Sequence, residues 1–275
     1  MSDATPTYLR VVAAVVVVAL VGGWVVLLVF PVDHSLFVWP IQPRLSAFML
    51  GSAYLAGSYY WMQVLLGRPW HTIQAGLLPV SLFAAALGIA TALHWDKFDH
   101  GTRLIFIWIG LYAAVPFVLP VAWLVERRRR PVQCPPAVQV SPGVRLALAT
   151  GGVLQLLLGL AMFLDPRGFA SHWPWQLTDL TARTTSAWFA WGLVWIMLIR
   201  EPRATAFRVP VDATIVGVLA ALVGLLRGHA ELHWSRAATW LVTGGLLVAL
   251  LALIMESRAL HRRASTEDPL TVTAH

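Results

Sequence analysis

The sequence predicts an all-α, polytopic membrane protein whose eight transmembrane helices form two parallel four-helix repeats. Three observations predict it. Apolar residues make up 58% of the 275 positions and charged residues only 12%, where a soluble domain carries about a quarter charged residues. The charges are also excluded from long stretches, which a soluble core does not require. Short motifs then return in the same order in the second half. Leu93-His94-Trp95 recurs as Leu232-His233-Trp234, and Trp39-Pro40-Ile41-Gln42 as Trp173-Pro174-Trp175-Gln176. Arg44 and Arg183 each open an apolar run, and Val125-Glu126-Arg127-Arg128 is answered by Met255-Glu256-Ser257-Arg258.

Eight runs approach the length of about 20 apolar residues that a span needs. In the first half they are Val11–Phe30, Leu45–Leu66, Ile73–Leu93 and Leu104–Val125. The first is too long for a signal-peptide core and is followed by Phe30-Pro31-Val32-Asp33, with no small-residue cleavage pattern, so it reads as a retained helix. Pro79 in the third run and Pro116 and Pro120 in the fourth each remove a backbone donor, which predicts kinks. The second half supplies Val144–Leu164, Thr184–Ile199, Val211–Leu226 and Ala237–Met255, of which the middle two are the shortest.

Loop charge orients these runs. The net charge of +7 is carried by arginine and a single lysine, Lys97. Thirteen of the 20 cations fall on the side of the N-terminus and seven on the other. The positive-inside rule then puts both termini in the cytoplasm. Membrane orientation accounts for the basic balance better than nucleic acid does. The Arg, Ala and Val bias suits a bacterial gene, so the expected location is the bacterial cytoplasmic membrane. Four spans per half make the repeats parallel, related by an axis along the membrane normal. The expected division is residues 1–126, a linker at 127–143, residues 144–258 and a disordered polar tail at 259–275. The only cysteine, Cys134, lies in that Arg- and Pro-rich linker, so no internal disulfide is possible.

The residues able to do chemistry gather in the outer loops. Trp39 and Trp173 sit at span ends, where indole rings anchor in the headgroup region; as a pair they would also form the wall of an outward cavity. Arg44 and Arg183 either snorkel to lipid phosphates or clamp an anionic ligand. Asp179 is placed to pair with Arg183, and Asp33 more loosely with Arg44. The second outer loops hold His94-Trp95-Asp96-Lys97-Phe98-Asp99-His100 and His229-Ala230-Glu231-Leu232-His233-Trp234. Imidazole and carboxylate are divalent-metal ligand types, which makes His94, His233, His229 and Asp96 the candidate metal ligands. The spacing of His229 and His233 resembles that of a zinc-protease helix, but Ala230 stands where that helix needs its glutamate. Four convergent ligands are not evident, so bound haem or metal is not the favoured reading.

No Asp, Glu, Lys or Arg falls near the middle of any run, so the marks of a proton or sodium relay are missing. There is no phosphate-binding loop, no Gly-x-Ser-x-Gly and no Cys-x-x-Cys. In plan, two four-helix halves resemble haem A synthase. The second, fourth, sixth and eighth runs of this chain contain no histidine, so the resemblance ends at the architecture. The sequence therefore predicts a membrane protein that binds or passes a small molecule or lipid. Its expected site is outward-facing, walled by Trp39, Trp95, Trp173 and Trp234, with Arg44 and Arg183 as polar groups. A membrane enzyme using the outer histidines is one alternative, and a structural subunit with partner subunits in the membrane is another.

Overall fold

The computed structural model describes residues 3–30, 37–129 and 138–265, with side chains to residue 258. Asp33, Cys134 and residues 130–137 of the expected linker lie outside the described residues. Within them the regular structure is helical, without a strand. The helices are α1 (Thr7–Val29), α2 (Arg44–Leu65), α3 (Trp70–Leu93), α4 (Leu104–Arg129) and α5 (Pro142–Leu164). They continue with α6 (Pro166–His172), α7 (Asp179–Ser186), α8 (Gly192–Met197), α9 (Ala204–Arg227) and α10 (Ala237–Ser265). Six of them, α1, α3, α4, α5, α9 and α10, are long and apolar enough to cross a bilayer. These are the helices of an integral, multi-pass membrane protein.

Two predicted runs take a different form. The second is the 22-residue α2, less apolar because it carries Ser46, Ser52, Ser58 and Gln63. All four are buried. Ser52 donates to the Met49 carbonyl and Ser58 to that of Tyr54. Such internal bonds let hydroxyls lie in an apolar interior. The sixth run is not one regular helix. α7 passes into a 3-10 segment at Ala187–Trp191, then α8, then a second at Leu198–Arg200. A 3-10 turn eclipses residues three apart. Trp188 and Trp191 therefore emerge on one side of the rod.

The packing has a centre and a rim. α2 lies against α9, and α3 lies against both α9 and the α7–α8 rod. On the outside, α1 packs on α2, α4 on α3, α5 on the rod and α10 on α9. Only 6% of the apolar window of α10 is buried, so nearly all of that stretch faces away from the other helices. The prolines are accommodated inside this frame. Pro120 has no N–H for the carbonyl of Pro116 four residues earlier. Ser81 of α3 donates to that carbonyl at 3.0 Å. Thr214 donates to the carbonyl of Pro210 in α9 at 2.7 Å.

Helix ends differ from the expected boundaries. α4 continues through Arg127, Arg128 and Arg129, where the linker was expected to begin. Cations in a last turn suit the negative end of the helix dipole, which favours continuation. α10 likewise runs to Ser265, beyond the expected start of the tail at residue 259. The chain re-enters at residues 138–140, which pair with residues 202–204 through Val140 N–H to Pro202 and Ala204 N–H to Val138. On the same face His71 bonds both Asp3 and Thr205, tying the N-terminus to α3 and α9.

Candidate functional site

The far face, opposite the N-terminus, does not gather its tryptophans around one opening. Trp39 is only 2% exposed. It packs edge-on against Phe37 and Trp108 and tilted against Phe98, with ring centres 4.9–5.2 Å apart. Trp173 packs edge-on with Trp175 against a separate apolar cluster. The buried partner of Trp39 in the second half is Trp175, 1% exposed, rather than Trp173. Trp95 and Trp234 are about half exposed; Trp95 rests beside His100 and Trp234 beside Trp240. Two exposed rings at span ends fit headgroup anchoring.

On this face the Arg183 side chain and the first backbone N–H groups of α2 instead tie the halves of the chain together. Arg183, half-buried in α7, meets His94 Nε2 at 2.7 Å. His94 sits at the end of α3. Burial, and then the Arg183 guanidinium, hold the His94 pKa below the ordinary histidine value. A neutral imidazole that accepts from the arginine is the result. Asp179, expected to pair with Arg183, pairs with Arg167 at 3.1 Å. On the other side Glu231 accepts from the backbone N–H groups of Arg44 and Leu45, the first residues of α2. A carboxylate there satisfies orphan donors and complements the helix dipole. The Arg44 side chain is largely exposed and 3.9 Å from Glu231.

The histidine readings change accordingly. The two Leu-His-Trp copies do not occupy equivalent places. α3 runs up to Leu93, whereas α9 stops at Arg227 and a 3-10 turn, His229–Glu231, follows before His233. His229 and His233 thus do not share a helical face. Asp96 forms an exposed ion pair with Lys97. Among the described residues no group of three or more His, Cys, Asp or Glu is placed to hold a metal ion.

A partly open cavity of about 130 Å³ lies elsewhere, level with the middle of the helices. α2 lines it with Ala53, Tyr54, Ala56, Gly57 and Trp61, and α3 with Pro79, Val80, Phe83 and Ala84. The rod adds Trp188 and Trp191, and α9 adds Ala213, Thr214 and Gly217. From the rim only α1 and α4 reach it, through Val16, Leu20, Leu111, Tyr112 and Val115. The Tyr54 and Tyr112 hydroxyls meet at 2.6 Å, joining α2 to α4 at its wall. Trp191 donates to Thr214 at 2.8 Å, joining the rod to α9. An apolar cavity of about 150 Å³ accepts a benzene ring, so this space suits a compact molecule of similar size.

Sequence reasoning passed over these residues. The signal was present in the odd placement of aromatic groups. Tryptophan normally marks the ends of spans, yet Trp188 and Trp191 fall inside the sixth run, and Tyr112 lies within an otherwise apolar run. The class of protein these features define is a multi-pass helical membrane protein with an apolar pocket among its helices. No family model, curated protein or solved structure matches the chain.

Proposed function

We propose that the protein binds a small, mainly apolar molecule inside the bilayer, in the cavity where two four-helix units meet. The observation that carries this reading is the pairing of the cavity's lining. Helix starts in the second half follow those in the first at a nearly constant shift: 7 to 142, 44 to 179, 70 to 204 and 104 to 237. Shifted by 135 residues, Ala53 and Ala56 of α2 correspond to Trp188 and Trp191 of the rod. Shifted by 134, Pro79, Val80 and Phe83 of α3 correspond to Ala213, Thr214 and Gly217 of α9. All ten line the cavity. Equivalent residues of two halves meet only around the axis that relates them, and transporter-like folds put ligand sites at such repeat interfaces. The helix contacts obey the same exchange, since α2 on α9 corresponds to the rod on α3.

This reading takes α2 and the rod as the remaining two of eight spans. It moves the site inward from the outer Trp, Arg and His groups, and it makes the Arg183–His94 contact and Glu231 at the start of α2 latches between the units. Both termini are assigned to the cytoplasm, because the cations concentrate on that side. In sealed cells an impermeant thiol reagent should then spare Cys134 and label a Lys97→Cys protein lacking Cys134. Labelling of Cys134 would reverse the orientation.

The binding test uses purified protein in lipid nanodiscs, dialysed against toluene beside empty nanodiscs. The expected result is saturable excess toluene at one per chain, lost in Ala53→Phe, whose ring would fill the cavity. No excess over empty nanodiscs would end this reading.

A further inference from the structure

We propose that a second copy of this chain packs on the outer side of α5, with the Gln155 side-chain amides of the two copies bonded to each other. The proposal is independent of the cavity and starts from the place of Gln155. The residue is exposed. A helix rises about 1.5 Å per residue, which puts Gln155 about 20 Å from Pro142 and about 14 Å from Leu164, the ends of α5. The hydrocarbon layer is about 30 Å thick, so the amide lies near its middle, out of reach of water at either surface. Its Oε1 stands beside Gly192 of the rod, 3.1 Å from the place of a Cβ there. The Gly192 N–H is already given to carbonyls of the rod itself. Among the described residues nothing hydrogen-bonds the amide. Ser52, Ser58, Ser81 and Thr214, also inside the helices, each have a partner. An amide left bare in hydrocarbon is costly, and lipid tails offer it nothing.

The neighbours of Gln155 form a seam. Val144, Ala147, Gly151, Gln155 and Leu158 follow one another at three or four residues, so they share one stripe of α5. Val144 is 41% and Leu158 40% exposed, and a methyl on Gly151 would meet nothing within 4 Å. That open space lets another backbone come close enough for the amide to reach it. The stripe carries no charge, and Arg145 beside its start donates to the Ile199 carbonyl of its own chain. Such spacing is that of a helix-pair seam, in which a single polar residue fixes the register. The amide then selects the partner. It holds an acceptor oxygen and an NH2 donor, so two of them pair reciprocally. Copies inserted in one orientation carry equal residues at equal depth, and a two-fold contact brings each stripe onto its own copy. A second chain therefore supplies the missing donor and acceptor at the depth where they are needed.

The test labels Cys134, the only cysteine, with donor or acceptor dye in the full chain. Energy transfer is followed in vesicles as the protein is diluted with lipid. A saturable dimer is expected, and Gln155→Leu should raise its dissociation constant about 3- to 30-fold, the range for one hydrogen bond between membrane helices. A second measurement uses a Cys134→Ser protein and an oxidant. Leu158→Cys should give a disulfide-linked dimer in the membrane. Leu160→Cys should not, because Leu160 is exposed on the opposite side of α5. Monomers at every dilution, an unchanged dissociation constant for Gln155→Leu, or crosslinking no stronger at 158 than at 160 would each overturn the proposal.

Discussion

The two halves of the molecule pack their first rim helix in different ways. In the first half side chains separate α1 from α2. A methyl group placed on Gly57 would meet only the tip of Leu20, and one on Gly23 the ring of Tyr54. In the second half the backbones of α5 and the rod touch. A methyl on Gly152 would lie 2.3 Å from the Gly192 carbonyl oxygen, and one on Gly192 2.6 Å from that of Gly152. Small residues let membrane helices approach this closely, and dispersion at that range replaces the hydrophobic drive that lipid does not provide. The cavity is shared at the centre, yet its rim lining comes only from α1 and α4. A closed second half and a roomy first half teach that the same helix order can hold a tight backbone contact and an apolar pocket side by side.

The sharpest way to break this contrast is a matched pair of alanines. Gly152→Ala should cost about 1–3 kcal/mol, because a backbone carbonyl cannot swing away from the new methyl. Gly57→Ala should stay within about 1 kcal/mol of wild type, since alanine's better helix propensity offsets a small shift of Leu20. Reversible unfolding in mixed micelles reads both, and equal losses would erase the distinction between the halves.

A second measurement sharpens what the first half gains from its tyrosines. Removing one hydroxyl of the Tyr54–Tyr112 pair strands the other in an apolar wall, at a cost of about 1–2 kcal/mol. Replacing both by phenylalanine should cost less than the two single changes added together. Additive losses in that double-mutant cycle would mean the hydroxyls do not depend on each other.

The latches across the halves should separate by mechanism. Glu231→Ala removes the acceptor for two N–H groups at the start of α2, with an expected loss of about 1 kcal/mol. Arg44→Ala should change stability by less than about 0.5 kcal/mol, because its exposed side chain makes only a loose ion pair. A larger loss for Arg44→Ala than for Glu231→Ala would restore the arginine as the important partner.

The smallest expected effect is a pH dependence at the other latch. The His94 pKa is lowered in the folded protein by burial and by Arg183, against the pull of Asp179 and Asp96. The unfolded chain then takes up that proton first, so stability falls as pH drops below about 6.5 and is restored towards neutrality. His94→Gln should flatten this component of the profile relative to wild type. An unchanged profile would show that His94 does not sense the contact.

Much of the molecule was readable one residue at a time. Apolar runs without charge oblige a membrane chain to satisfy its backbone internally, and helices follow from that alone. Hence α1, α3, α4, α5, α9 and α10 fall where composition put them. The far-face histidines and tryptophans were legible as residue types, but their partners were not. Register is a property of where a helix stops, and α9 ends at Arg227, so Leu232-His233-Trp234 lies past a further turn rather than opposite Leu93-His94-Trp95. Whether Arg44 or its own backbone N–H is the group that matters depended on Glu231, 187 residues away. The cavity likewise required three-dimensional packing. Alanines at 53 and 56 opposite tryptophans at 188 and 191 are ordinary residues in a string. They become a wall only when α2, α3, α9 and a rod tightened by 3-10 turns meet, because a void is defined by the atoms on all its sides.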